Sequence, residues 1–193
     1  MSDPEWAMVS ILFVDIRGFT SLADRQTSRF AADYLREFFD LVVPVVTAHD
    51  GEVNQMLGDG LLAVFRTSDH ADRAVAAGTA MIAATEVQNR YRIGVGINSG
   101  LVLMGMMGGG GMMRFGLVGD PVNVAARVQD ATRDLEEPLL LTEATRVLLD
   151  GDHPGLISRG ALELKGKSAP VAVYAVTNPG RTGRRTEGDV GTH

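Results

Sequence analysis

The chain has 193 residues, 45% of them hydrophobic and 22% charged, enough for one domain with a full core and unlike disordered, collagen-like or low-complexity chains. Its 18 Lys and Arg against 24 Asp and Glu give a formal net charge of −6, which argues against nucleic acid as a partner but leaves room for a local phosphate site. The absence of cysteine excludes a disulfide framework, a thiolate zinc site and a cysteine nucleophile, and fits a cytoplasmic chain. No run approaches the roughly 20 apolar residues of a membrane span. The acidic start, Met1 to Trp6, lacks the basic region of a secretory signal, so no membrane insertion by this chain is expected.

In chain order, Val9-Ser10-Ile11-Leu12-Phe13-Val14 is a short β-branched and aromatic run that stops at Asp15, the pattern of a buried strand with a carboxylate at its carboxyl end. From Arg29 to His49, Phe30, Tyr34, Phe38, Leu41, Val42 and Val45 recur at helical spacing, with Pro44 predicting a kink or an early end. Glu52 to Gln55 and Leu61 to Phe65 flank Leu57-Gly58-Asp59-Gly60, which reads as a β-hairpin with Asp59 at its tip. Asp69 is placed to cap a second helix running to about Gln88, with Ala71, Ala74, Val75, Gly78 and Met81 on a small-residue face. Two strands, Arg92 to Asn98 and Leu101 to Met106, then follow around a Ser99-Gly100 turn. Gly105 to Met113 alternates blocks of glycine and methionine and is expected to be a mobile loop. Phe115 to Val118 reads as a strand, and Gly119-Asp120-Pro121 opens a helix continued by Val122 to Ala131. Leu139 to Leu141, a helix from Glu143 to Leu149, Leu156 to Leu164 and Val171 to Val176 complete the domain. The Gly-, Thr- and charge-rich segment 178–193 is expected to be a disordered tail. The order strand-helix-strand-strand-helix-strand is that of an α+β, ferredoxin-like βαββαβ core with additional C-terminal strands and helices.

Such a core makes the first strand and the following hairpin neighbours, so Asp15 and Asp59 can meet although 44 residues separate them. Hard oxygen ligands at strand ends suit Mg²⁺ or Mn²⁺ holding a substrate phosphate. An Asp in a Gly turn is equally a turn former, whereas Asp15 interrupts an apolar strand just before Gly18. Asn123 and Arg127 are four apart on one helix, so both project from one face. Arg offers a planar fork to phosphate oxygens and Asn can serve a sugar oxygen, but a plain surface pair has the same spacing. Lys165 and Lys167 are open to both readings, a solvated turn or a polyphosphate contact.

Five blocks occur in order: Phe13-Val14-Asp15-Ile16-Arg17-Gly18-Phe19-Thr20, Leu57-Gly58-Asp59-Gly60-Leu61-Leu62-Ala63-Val64-Phe65, Gly96-Ile97-Asn98-Ser99-Gly100, Val118-Gly119-Asp120-Pro121-Val122-Asn123-Val124-Ala125-Ala126-Arg127 and Leu164-Lys165-Gly166-Lys167. With them the chain resembles the class III adenylate/guanylate cyclase catalytic domain over about residues 8–177, leaving residues 1–7 as an N-terminal extension. The resemblance implies conversion of a nucleoside triphosphate to its 3′,5′-cyclic monophosphate and pyrophosphate, with two divalent cations held by Asp15, Asp59 and the backbone carbonyl of Ile16. It further implies that the Phe19 and Thr20 amides face the phosphates, that Asn123 orients the ribose, and that Arg127 stabilises charge on the α-phosphoryl group. Lys165 then contacts the triphosphate. Members place their sites between two domains packed head to tail, which implies a homodimer here, with the Gly105 to Met113 loop ordering on dimerisation or substrate binding.

At the two base-reading positions the chain departs from the family pattern, carrying Gln55 and Gly116. Gly116 leans toward guanylate cyclases, while the Gln55 amide can serve either purine. ATP is expected over GTP because single-domain members more often make cyclic AMP. Two alternatives stand beside this: a degenerate domain that binds nucleotide for regulation, and a diguanylate-cyclase-like palm, for which the Gly-Gly-Asp/Glu-Glu-Phe turn is missing.

Overall fold

The computed structural model describes residues 4–151, 153, 155–164, 167 and 169–177. The expected tail, 178–193, and Lys165 lie outside the described residues. The elements are β1 (Glu5–Ile16), α1 (Phe19–Ala23), α2 (Ser28–Ala48), β2 (Gly51–Met56), β3 (Gly60–Phe65), α3 (His70–Gln88), β4 (Ile93–Gly109), β5 (Met112–Val118), α4 (Asp120–Asp134), β6 (Leu139–Thr142), α5 (Glu143–Arg146), β7 (Leu156–Leu162) and β8 (Val171–Val176). The strands form a sheet of order β2-β3-β1-β4-β6-β8-β7, with β5 also paired to β4. Its β2-β3-β1-β4 part is the ferredoxin-like unit read from the sequence, and β6 to β8 are the C-terminal addition.

Alternation along β1 and β4 sorts the core onto two faces. Leu12, Val14, Val95 and Ile97 point to one face, where they pack with Tyr34, Phe38, Val42 and Val46 of α2 and Ala74, Ala77 and Met81 of α3. Ile11, Val9, Leu62 and Val64 point to the other, against Ala125 of α4, while Val124 and Val128 of the same helix lie on Leu140, Val173 and Ala175. The Thr27 hydroxyl caps α2 by accepting from the Phe30 N–H at 3.2 Å. That helix runs four residues past Pro44, because Phe38, Val42 and Val46 are fully buried along it and the packing outweighs the one missing hydrogen bond. Asp69 does precede α3, but its carboxylate accepts from Arg73 Nε at 2.8 Å and caps nothing.

Further expectations are overturned. The Ser99-Gly100 turn does not exist: β4 runs unbroken from Ile93 to Gly109, with Ser99 opposite Ser10 and Gly100 opposite Val9. The Ser99 hydroxyl is buried between Ser10 Oγ at 2.6 Å and Thr145 Oγ1 at 3.0 Å, and Gly100 lacks a side chain because the Pro121 ring sits where one would go. Nor is Gly105 to Met113 a loop. It is a β-hairpin in which Gly109 pairs with Met112 and Gly105 with Gly116. Only Gly110 and Gly111 form its turn, both at positive φ of 61° and 85°, as a two-residue hairpin connection requires. The expected helix at Glu143 is also shorter, ending at Arg146.

Candidate active site

Asp15 is the penultimate residue of β1 and Asp59 immediately precedes β3. The antiparallel register sets Asp15 opposite Gly60, and the Ile16 N–H donates to the Asp59 carbonyl at 3.2 Å, so the two carboxylates share one end of the sheet. A Cβ on Gly60 would lie 2.3 Å from the Val14 carbonyl and 3.0 Å from Asp15 Cβ; the close approach of the strands needs a glycine there. Both Asp side chains are half-buried. Burial first, and then the charge of Asp59, push the Asp15 carboxyl above its ordinary value of 3.8, against the opposing pull of Arg133 and a hydrogen bond from Gln129. Among the described residues no group of three or more His, Cys, Asp or Glu comes together as a metal site.

Beyond β1 the chain turns at Gly18, at φ 76°, into the short helix α1. Its first internal bond runs from the Leu22 N–H to the Gly18 carbonyl, so the N–H groups of Phe19, Thr20 and Ser21 stay outside the helix ladder. These three residues line an open cavity of about 540 Å³ together with Ile16, Arg17, Asp59, Arg92 and Arg133. The Asp59 carboxylate and the guanidinium groups of Arg92 and Arg133, in the wall of this one cavity, form a charge pattern suited to a cation-bound polyphosphate. Arg17 is bound into the frame, because its Nη2 donates to the carbonyls of Thr132 at 2.9 Å and Glu137 at 2.6 Å and so ties the end of β1 to the end of α4. A second cavity, of about 410 Å³, lies behind Arg17 against Glu86, Asn89, Tyr91 and Glu136 and has no part of the carboxylate pair.

Helix α4 lies across β4 on a track of glycines. A Cβ on Gly94 would meet Thr132 Oγ1 at 2.3 Å, one on Gly96 the Gln129 backbone at 2.2 Å, and one on Gly100 the Pro121 ring at 2.5 Å. The helix start is held by Asn98, whose Nδ2 donates to the Pro121 carbonyl at 3.0 Å and whose Oδ1 accepts from Thr142 Oγ1 at 2.7 Å. Asn123 and Arg127 stand on its outer side, Asn123 exposed and Arg127 half-buried, while Val124, Ala125, Val128, Gln129 and Thr132 are buried. Gln55 is exposed on β2 and Gly116 half-buried on β5, with Met107 Sδ its nearest neighbour at 3.5 Å from where a Cβ would be. Lys167 Nζ donates to Asp120 Oδ2 at 2.6 Å, at the first residue of α4.

The structure adds residues that sequence reading passed over: Gln129, Arg92 and Arg133. A signal for Gln129 was present, since Gln at the inward helical spacing of Ala125 is a polar residue in an apolar stripe, and Gly94-x-Gly96 in a strand announces a close neighbour.

Against known proteins, the family described as "Adenylate and Guanylate cyclase catalytic domain" matches residues 1–178. The chain belongs to the adenylate/guanylate cyclase family. It is a class III cyclase domain, with the nucleotidyl cyclase fold. It is 28% identical over 189 residues to "Adenylate cyclase, terminal-differentiation specific" of Dictyostelium discoideum, covering 92% of this chain and 9% of that protein. It is 29% identical over 192 residues to "Adenylate cyclase 1" of Rhizobium meliloti, covering 93% of this chain and 29% of that protein. The chain thus spans under a third of either curated relative. Among solved structures it superposes on a bacterial light-regulated adenylyl cyclase with TM-score 0.84 and 26% identity, over 91% of this chain and 54% of that one. The guanylyl cyclase Cya2 gives TM-score 0.81 and 28% identity over 91% and 94%. Solved cyclases of both base specificities therefore share this fold. Among the described residues no helix is long and apolar enough to cross a membrane.

Proposed function

We propose that the domain, residues 8–177, converts ATP to 3′,5′-cyclic AMP and pyrophosphate, with two divalent cations, Mg²⁺ or Mn²⁺, at sites shared head to tail between two copies of the chain. The observation that carries this is the division of labour along α4. Gln129 touches Asp15, whereas Arg127 projects about 200° round the helix from it and Asn123 lies about 9 Å further toward the helix start. Both side chains thus face away from the carboxylates of their own chain, and a site needing all four residues takes them from two copies. A covering surface is available: Trp6 and Met8 of β1, Leu101 of β4 and Val118 of β5 are all half or more exposed on strands joined in the registers Met8↔Leu101, Trp6↔Leu103 and Leu103↔Val118. A contiguous apolar sheet face of this kind marks an association surface.

The donor set fits hard cations: two carboxylates and the Ile16 carbonyl, with no nitrogen or sulfur, and a like-charge repulsion at Asp15 that a cation offsets. When bound, the cations would lower the pKa of the ribose 3′-OH and neutralise the leaving pyrophosphate. The free N–H groups of Phe19 and Thr20, with Arg92 and Arg133, hold the phosphates of the nucleotide whose cations sit on the same chain. Asn123 of the other copy orients the ribose, and Arg127 donates to the α-phosphoryl oxygens, where negative charge grows as the 3′-oxygen bonds to phosphorus and the bond to the bridging oxygen breaks. The 3′-OH proton leaves to solvent. Lys165 contacts the triphosphate, and Gln55 with Gly116 reads the base, the Gln55 amide giving one donor and one acceptor to adenine. We take the location as cytoplasmic, where nucleoside triphosphates are plentiful.

Gly116, a residue type that the resemblance associates with guanylate cyclases, favours a second reading, GTP. Turnover of the purified chain with ATP and with GTP, each with Mg²⁺ or Mn²⁺ and the products separated by chromatography, decides between them. Predominant cyclic AMP supports the first reading and predominant cyclic GMP the second. Nucleotide binding by a dimer without either product would refute both and leave a regulatory domain.

A further inference from the structure

The Gln129 side chain is 7% exposed, on the inner side of α4. Its Nε2 donates to Asp15 Oδ1 at 2.6 Å and to the Gly94 carbonyl at 3.3 Å, which occupies both amide hydrogens and fixes the plane of the amide. No other hydrogen bond reaches the Asp15 carboxylate among the described residues, so Oδ2 is left for a ligand. The arrangement exists only because Gly94 and Gly96 carry no Cβ: one on Gly94 would lie 3.0 Å from Nε2, and one on Gly96 would collide with the Gln129 backbone. Strand and helix are thus shaped to bring one neutral donor onto one carboxylate.

We propose that Gln129 is the positioning residue for the metal-holding carboxylate, fixing Asp15 in the single orientation that binds the cation. The proposal rests on the cation reading of Asp15 and Asp59 above. A neutral amide suits this role because a second carboxylate there would add to the repulsion already acting on Asp15, while an apolar residue would let the carboxylate rotate. Loss of a partner that orients a metal ligand weakens metal affinity by roughly 10- to 100-fold. The placement also makes α4 serve both halves of the dimer, Asn123 and Arg127 facing one nucleotide and Gln129 the carboxylates of its own chain.

The test is Mn²⁺ binding to the nucleotide-free protein, read from loss of the electron paramagnetic resonance signal of aqueous Mn²⁺, so that no turnover occurs and no triphosphate competes for the ion. Gln129→Met keeps the volume and removes the donor. Gln129→Asn keeps the amide but shortens it by one methylene, and stands in if the Met variant fails to fold. Each is expected to raise the Mn²⁺ dissociation constant roughly 10- to 100-fold, with nucleotide binding in the absence of metal unchanged. A purely structural role predicts the reverse, lower thermal stability with unaltered Mn²⁺ affinity in the folded protein, and that result overturns the proposal. Failure of the unsubstituted chain to bind Mn²⁺ would overturn the cation reading itself, and the role of Gln129 with it.

Discussion

Replacing Gly96 by alanine places a methyl group 2.2 Å from the Gln129 nitrogen, 2.5 Å from its Cα and 2.6 Å from its Cβ. All three are parts of the α4 backbone or its root, so no side-chain rotation relieves the clash. Ordinary contact begins at 3.4 Å, and the helix must retreat by the difference, 3.4 − 2.2, or about 1.2 Å. The retreat stretches two hydrogen bonds that tie α4 to β4, Asn98 Nδ2 to the Pro121 carbonyl, now 3.0 Å, and Gln129 Nε2 to the Gly94 carbonyl, now 3.3 Å. Overpacking of this kind costs about 1–3 kcal/mol. A 1 Å displacement of catalytic groups costs about 100-fold in rate, and α4 carries Asn123 and Arg127, so kcat is expected to fall by that order, with a smaller change in KM. Gly109→Ala is the control, because nothing lies within 4 Å of its Cβ position and its stability should match the unsubstituted chain. Urea denaturation with steady-state kinetics measures both effects. Gly96→Ala within about 0.5 kcal/mol of the parent, the range of a harmless surface change, and with undiminished kcat, would refute the glycine-track argument.

Three further outcomes are expected. His70, buried and bonded through Nδ1 to Ser10 Oγ at 2.8 Å, has its pKa held below the ordinary 6.5 by burial, against the opposing charges of Asp69 and Asp72. The unfolded chain therefore binds this proton more readily, and stability falls as pH drops below 6.5; His70→Gln should flatten that part of the profile, and an unchanged slope would count against it. Asp15→Asn removes a charge that burial and Asp59 disfavour, so thermal melting of the metal-free protein should move upward while cyclase turnover is lost; a lower melting temperature would contradict the electrostatic account. Mixing inactive Asp59→Ala with inactive Arg127→Ala should restore up to about a quarter of the activity on random subunit exchange, because one of the two interfaces in a heterodimer carries no lesion. No recovery after exchange, followed by mass spectrometry, would argue against a shared site.

Much of this architecture was written locally. The apolar run ending at Asp15, the glycine turn around Asp59 and the Pro-initiated helix of Asn123 and Arg127 each declare themselves by patterns of a few residues, which is why the βαββαβ core and both carboxylates were legible in the chain alone. What failed was local chemistry with a distant competitor. Ser99-Gly100 has the composition of a turn, yet β1 pairs along it and Ser10, Thr145 and Pro121 fill the space around it; ladder bonds and burial outweigh a turn preference. Gly105 to Met113 has no strand preference of its own and becomes one by folding back on itself across Gly110-Gly111. The contact of Gln129 with Asp15 spans 114 residues and depends on a helix settling onto three glycines, so only the tertiary structure could decide it. Periodicity and turn residues act over a few positions and can be read from the sequence, whereas the approach of two backbones depends on every layer packed behind them.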